Sequence, residues 1–415
     1  MAIIKPFKAI RPRNDLASKV AALPYDVMSS SEAREKVKGN KYSFLHVDKA
    51  EVDLDKSIDI YDKRVYEKAR ENLNKMIEEN VLIEDKKPCL YIYRLTMNGK
   101  SQTGIVGCTS IDEYMNNKIK KHENTRQDKE IDRINHVDYC NANTGPIFMT
   151  YRNNKEINNI IDSWIKKDPV YDFKADDGVF HKVWVIDDDD VILDIQNAFK
   201  NIDSLYIADG HHRAASAVKV GLKRRKEKVN YNGNEEFNFF LSVVFPDSDL
   251  RIIDYNRVVK DLNGLDTKDY FNKIREKFEV SLYEEEGQFK PCKEHTYGMY
   301  LDGKWYVLKA KENSYNSKDV VSSLDVSILQ DNLLEPVLGI KDPRQDSRID
   351  FIGGIRGLKE LERKVDSGEY KVAFSMYPVT LEELMKIADE GKVMPPKSTW
   401  FEPKLRSGLF VHKLG

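Results

Sequence analysis

The segment SLYIADGHHRAASAVKVGLKRRKEK (residues 204–228) constrains the fold more than any other part of this chain. It opens with a short apolar run, which Asp209-Gly210 then breaks with two residue types that favour sharp turns. The rest spaces small apolar residues at helical intervals and closes on a basic cluster, Lys223, Arg224, Arg225, Lys226 and Lys228, interrupted by Glu227. Cations at that end complement a helix dipole, and the simplest reading of the cluster is a solvated helix end. The segment therefore predicts a buried strand, a glycine turn and a helix in direct succession. Backbone N–H groups and the positive end of the dipole then fall at His211-His212-Arg213, beside Asp209, and such a junction suits a phosphate. Asp209 can cap the helix or hold a divalent metal against that phosphate.

The flanking sequence alternates in the same way. YDKRVYEKARENLNKMIEEN (61–80) places Val65, Leu73, Met76 and Ile77 at helical spacing. CLYIYRLTM (89–97) and TGIVGCTSIDEY (103–114) read as strands joined at an Asn98-Gly99 hairpin turn. IFMTY (147–151) and VWVID (183–187) read as strands, and 155–166 and DVILDIQNAFKN (190–201) as helices. Ser30 or Ser31 suits the cap of a short helix that Gly39 ends. KKHENTRQDKEIDRINHVDYCNANTGP (120–146) has little apolar content and reads as a charged, polar stretch. FNFFLSVVFP (237–246) is expected to be a central strand, and LEELMKIADEG (381–391) a helix. The pattern predicts an α/β (α+β mixed) fold. The chain is expected to comprise an N-terminal segment 1–88, a core 89–232 and a C-terminal α/β portion 233–415, with a soft boundary between the last two in the Asn/Gly-rich NYNGNEE loop.

Charge excludes several functions. Lys and Arg number 67 against 69 Asp and Glu, a net charge of −2, so no bulk field draws the chain to nucleic acid or an acidic membrane. No apolar run is long enough to span a bilayer, and Lys5 and Pro6 break the start too early for a signal peptide. Cys89, Cys108, Cys140 and Cys292 are far apart with no CxxC pair. That pattern fits reduced thiols of a cytoplasmic protein, packed as small hydrophobes, and not a zinc site or disulfide framework. The chain has no HExxH, no P-loop, no GxGxxG and no kinase HRD or DFG, so phosphate chemistry here needs another scaffold.

A second cluster, Lys121-His122-Glu123-Asn124-Thr125-Arg126, puts a carboxylate between His and Lys. Such a group can serve as a general base, although for so short a motif a hydrated turn is the plainer reading. MPPKSTWFEPK presents Lys397, Ser398 and Thr399 after two prolines, with Trp400 and Phe401 following. A ligand loop and an aromatic plug are equally compatible with it. Gly353-Gly354 lets backbone approach a ligand or turns the chain. Arg344, Arg348 and Arg356 form a solvated surface or contact an anion. Tyr25-Asp26-Val27 suggests no chemical role, and His46, His136, His181, His295 and His412 read as structural.

A strand ending in Asp209-Gly210-His211-His212-Arg213, preceded by the loop pair His122-Glu123 and by the short Pro146-Ile147-Phe148 strand, resembles the ParB/sulfiredoxin-like superfamily, and within it the free serine kinases. The rest of the chain is similar to domain-of-unknown-function family ten-fifteen, related to those kinases, through LPYDVMSSSEAR (23–34), KHENT (121–125), ANTGPIF (142–148), IADGHHR (207–213), RIDFIGG (348–354) and MPPKSTWFEPKLRSGL (394–409). The resemblance implies a ParB/sulfiredoxin-like core with large N- and C-terminal additions. It implies transfer of a phosphoryl group from ATP or ADP, with Mg²⁺, to the hydroxyl of free L-serine, giving O-phosphoserine, or the reverse. It places Glu123 as general base, Asp209 as the residue that positions metal and phosphate, and Gly210, His211, His212 and Arg213 at the phosphate groups. His122, Thr125, Lys397, Ser398 and Thr399 become substrate-binding candidates. The implied partners are a nucleotide and free serine or phosphoserine, with no nucleic acid and no membrane; a homodimer is compatible. Against the kinases stands an insertion of about a helix and a strand between Glu123 and Asp209. The alternative is a ParB-like nucleotide-binding regulatory protein without catalysis. A sulfiredoxin-like reductase would need a reactive cysteine beside the junction, where the sequence has none; Cys140 is adjacent only to the polar stretch.

Overall fold

Where β-branched and aromatic residues run unbroken, as in IFMTY (147–151) and FFLSVVFP (239–246), the chain forms strands buried on both faces. The computed structural model, which describes residues 2–228 and 230–415, joins these with strands of mixed burial: β1 (Leu90–Met97), β2 (Lys100–Ser110), β3 (Ile119–Lys120), β4 (Ile147–Tyr151), β5 (Tyr171–Lys174), β6 (Phe180–Ile186), β7 (Leu205–Asp209) and β8 (Phe239–Pro246). Met1 and Val229 lie outside the described residues. The eight strands make one mixed sheet in the order β3-β7-β4-β8-β2-β1-β6-β5. β7 runs parallel to β3 and antiparallel to β4, while β8 runs parallel to β4 and antiparallel to β2. The apolar run 237–246 thus supplies an interior strand. Asn98 and Gly99, with φ of 51° and 74°, make the tight hairpin between β1 and β2 that two left-handed residues allow.

Helices α1 (Lys63–Glu78), α2 (Gln127–Cys140), α3 (Lys155–Trp164), α4 (Asp189–Lys200) and α5 (His211–Glu227) accompany this sheet. Ile147, Met149, Ile157, Ile161, Trp184, Ile195, Phe199, Leu205 and Ile207 are among the residues of its core. The fold is mixed α/β.

Several local expectations change. The cap of the first short helix is Ser29, which forms a reciprocal capping box with Glu32, and not Ser30 or Ser31. The end of the second predicted strand is instead a helix, Ile111–Met115, because the Ser110 side chain accepts from the Asp112 N–H and starts a turn. The polar stretch 120–146 contains α2. Its buried face is mostly polar: beside Val137 and Cys140, Glu130, Asp132, Arg133 and His136 are each less than a tenth exposed. Tyr66 donates to Asp132 at 3.0 Å, Arg133 donates to Asp132 at 2.9 Å, and His136 Nε2 lies against the Val47 carbonyl at 3.1 Å. The basic cluster of α5 is ion-paired: Lys223 and Arg224 meet Asp138 at 2.6 and 2.9 Å, and Arg225 meets Asp112 at 2.7 Å. Cys89, Cys108 and Cys140 are buried, whereas Cys292 is exposed.

The chain divides into two units. Met1–Lys121, Thr125–Leu250 and Pro403–Gly415 form the first; His122–Asn124 with Arg251–Glu402 form the second. The C-terminal segment rejoins the first unit by pairing Val411 with Ile10, Ser407 with Ala22 and His412 with Asn143. The second unit is built on β9 (Tyr255–Val259), β10 (Phe278–Leu282), β11 (Thr296–Leu301), β12 (Lys304–Ala310), β13 (Ile349–Gly353) and β14 (Val372–Ser375). They form an antiparallel sheet in the order β10-β12-β11-β14-β9-β13. Gly353 and Gly354 are packing glycines here: an added Cβ would meet the Trp400 ring at 2.9 Å and the Asp254 carboxylate at 2.4 Å. Helix α6 (Leu381–Asp389) begins in a capping box of Thr380 and Glu383. Among the described residues no helix is long and apolar enough to cross a membrane.

Candidate functional site

β7 leaves its ladder in an irregular way. Its pairing with β4 shifts register between Ile207 and Asp209, and such a bulge re-aims the side chain that follows. Gly210 then takes φ of 95° as the N-cap of α5. Glycine is required on two grounds, since a side chain is strained at that φ and its Cβ would lie 3.1 Å from the Arg213 guanidinium. Gly210 offers no side-chain cap, and the first turn of α5 contains no acidic residue. The electropositive end of a long helix is therefore presented at His211-His212-Arg213 with no acidic side chain in the helix's own first turn.

Asp209 sits at the edge of this positive end. Its Oδ1 accepts from the Gly210 N–H at 2.9 Å, and its Oδ2 accepts from Lys404 Nζ at 3.0 Å. Burial alone would raise the Asp209 carboxyl, but Lys404, Arg213 and His211 outweigh it and hold the group well below the usual carboxylate range. Arg213 Nη1 donates to the Pro146 carbonyl at 2.5 Å, while its Nε is buried without a partner among the described residues. A buried charged donor left unmatched is costly, and an oxyanion would satisfy it.

The charge balance predicts an acid response. A depressed folded-state pKa means that Asp209 contributes stability above pH about 4, and that this is lost as pH falls through the lower folded value. Lys404→Met removes the largest of the lowering influences, so the acid-unfolding edge should move to higher pH. A pH titration followed by circular dichroism reads the shift. An edge unchanged from the wild type would show that Lys404 does not hold the Asp209 charge.

His212 Nε2 accepts from the Arg126 N–H at 3.0 Å, which ties the segment after Lys121-His122-Glu123 to the start of α5. Thr125 donates to Glu130 at 2.7 Å, and Glu130 pairs with Lys219. Thr125 thus braces the entry to α2. Beneath Arg213, a cavity of about 20 Å³ is lined by Tyr25, Asp48, Arg133, Gly145 and Arg213. Arg133 lies 3.9 Å from the Tyr25 ring centroid. Tyr25 therefore packs beside the junction, in the small cavity that Arg213 and Arg133 line.

In the second unit His122 is buried, and its carbonyl accepts from the Met394 N–H at 2.8 Å. Glu123 is half-buried and belongs to the same tripeptide. Ser398 turns its hydroxyl onto the Pro395 carbonyl at 2.6 Å. Lys397 is exposed with φ of 60°, and its carbonyl accepts from Arg257 at 3.1 Å. Thr399 is half-buried. Ser398 therefore shapes its own loop, while the Lys397 carbonyl ties that loop to Arg257 of β9. Trp400 lies at 5.0 Å from the Tyr255 ring, as an aromatic plug would.

The structure adds residues that the motifs do not reveal. Lys404 reaches Asp209 from 195 positions away, and Arg133 with Tyr25 lies under Arg213. A Mg²⁺ ion asks for hard oxygen ligands and commonly takes one or two carboxylates together with substrate phosphates. Asp209 is an ionised carboxylate of the chemistry such an ion takes, with its Oδ1 on the Gly210 N–H and its Oδ2 on Lys404.

No curated protein matches the chain. Among solved structures it is similar to a mutant free serine kinase in complex with AMP, at 15% identity, covering 74% of this chain and 92% of that one with a TM-score of 0.38. A second mutant, in complex with ADP, is similar at 16% identity over 75% and 93%, with a TM-score of 0.37. A conserved hypothetical protein from Pyrococcus furiosus is similar at 17% identity over 74% and 95%, with a TM-score of 0.35. The profile of one family matches residues 4–327, most of the length of the chain, and the chain accordingly belongs to that family, described as Protein of unknown function (DUF1015).

Proposed function

We propose that this protein is a nucleotide-dependent phosphotransferase built on a ParB/sulfiredoxin-like core, with the hydroxyl of free L-serine as acceptor. The observation that carries the reading is the β7–α5 junction, where an ionised Asp209 faces the uncapped start of a 17-residue helix and Arg213 keeps one buried donor unmatched. Anionic phosphates match this arrangement on both counts. The motif combination KHENT with IADGHHR gives the same reading from the sequence.

In this reading Gly210, His211, His212 and Arg213 bind the phosphates of ATP or ADP. Arg213 orients the terminal phosphate and spreads its charge. Asp209 holds Mg²⁺, which when bound neutralises the charge that builds on the transferring group. Glu123 accepts the proton of the serine hydroxyl as its oxygen bonds to the terminal phosphorus and the bond to the nucleotide oxygen breaks. The same groups run the reverse transfer, by microscopic reversibility.

Arg213→Ala should weaken nucleotide binding by about 1.5–3 kcal/mol, the range for hydrogen bonds to charged groups. Titration calorimetry with ADP and ATP in the presence of Mg²⁺ measures it. An unchanged Kd would remove Arg213, and with it the phosphate assignment of the junction.

A further inference from the structure

The second unit contains a cavity of about 380 Å³ whose charge the phosphotransfer reading does not use. Its lining includes Arg257, Lys341, Gln330, Phe351, Met394 and Pro395. Arg257, on β9, is 3% exposed. Its guanidinium donates to the Tyr255 and Lys397 carbonyls and lies 5.4 Å from the Phe351 ring centroid. Among the described residues no carboxylate lies within ion-pair distance of it, although burial works against its charge. Two further cations line the cavity. Arg344 is committed to Asp342 at 2.8 Å, whereas Lys341 is exposed and has no ion pair among the described residues. A buried arginine held, among the described residues, by carbonyl dipoles, a ring face and the nearby Tyr255 and Tyr297 rather than by a carboxylate, and opening into a cavity with a second unmatched cation at its rim, is a site that suits an anion.

We propose that this cavity is an anion-binding pocket for a small molecule bearing a carboxylate or phosphate monoester, with Arg257 as the buried cation and Lys341 as the rim cation. The fork of a guanidinium fits either oxyanion through paired N–H donors. Phe351, Met394 and Pro395 give the body of the ligand an apolar wall. The volume falls within the range of small-molecule sites, about 300–1,000 Å³. The MPPKST loop takes a role in this assignment, since it supplies both the wall and the carbonyl that aims Arg257.

The test is titration calorimetry on the full chain with three probes: O-phospho-L-serine, L-serine and inorganic phosphate. The expected result is saturable binding of at least one probe. Phosphate binding without serine binding identifies a phosphate ligand, and serine binding without phosphate binding a carboxylate. Affinity for the bound probe should fall by about tenfold or more in Arg257→Gln, the equivalent of one hydrogen bond to a charged group. Lys341→Glu should weaken it in the same direction, and because Lys341 is exposed this variant answers the question even if Arg257→Gln fails to fold. No saturable binding of any probe, or wild-type affinity in both folded variants, overturns the proposal. Binding lost in Arg213→Ala but kept in Arg257→Gln and Lys341→Glu also overturns it, while leaving the phosphotransfer reading intact. Binding lost in Arg257→Gln or Lys341→Glu supports the pocket whatever the transfer assay gives.

Discussion

Glu123→Gln is expected to lower kcat by ~10²–10⁴-fold, the usual contribution of a positioned general base, while leaving nucleotide affinity nearly unchanged. The substitution keeps the size and hydrogen-bonding reach of the side chain and removes only its ability to take a proton. A serine hydroxyl is a poor nucleophile at neutral pH, so the loss falls on the chemical step and not on donor binding. Steady-state kinetics with ADP or ATP, paired with calorimetry on the same variant, separates the two. Near-normal kcat with an intact fold would take the base role away from Glu123. Lost nucleotide and metal binding with little change in kcat at saturation would instead make Glu123 a metal ligand and Asp209 the first candidate for the base.

Asp325→Asn is expected to stabilise the protein at pH 8 by about 2–4 kcal/mol, at 1.36 kcal/mol for each pKa unit recovered. Asp325 is buried in the second unit, and burial, with Glu383 and Glu294 nearby, pushes its carboxyl up to about 7 despite the hydrogen bond from the His295 N–H. A raised carboxyl pKa means that the folded state holds a proton that the unfolded chain releases above pH about 4. Stability from this group is therefore greatest in acid and declines as pH rises from about 4 to 7. Asparagine mimics the protonated form and keeps an acceptor for the His295 N–H and the Tyr297 hydroxyl, which meet Asp325 Oδ1 at 2.7 and 3.4 Å. Urea unfolding at pH 5 and pH 8 measures the difference. An equal loss of stability between the two pH values in wild type and variant would contradict the assignment.

The parts of the fold that sequence makes legible are those where one local rule acts alone. β7, Gly210 and α5 follow from an apolar run, a turn pair and a helical spacing within 25 residues, and the hairpin at Asn98-Gly99 follows from two residues. Helix α2 escapes the same reasoning because Glu130, Asp132, Arg133 and His136 outnumber Val137 and Cys140 on its buried face, while Ile131 is 49% exposed. A rule that equates burial with apolarity misses such a face, which becomes intelligible only when the partners Tyr66 and Val47 are in place. The candidate site divides in the same way. Asp209 to Arg213 are contiguous and announce themselves, but Lys404 joins them only because the last 13 residues, Pro403–Gly415, return to the first unit. No spacing rule reaches that far. Arg257 carries no sequence signal at all, since an arginine in YNRVV resembles any strand residue that faces solvent. Its 3% exposure is a fact of packing.

Phosphorus NMR of the wild-type protein with Mg²⁺, L-serine and either ATP or ADP tests the central claim most directly. The account predicts a growing phosphomonoester resonance of O-phosphoserine, matched by loss of the terminal phosphate of the nucleotide, dependent on serine and suppressed in Glu123→Gln. Nucleotides that stay intact with serine present, or turn over at the same rate without it, would contradict the account.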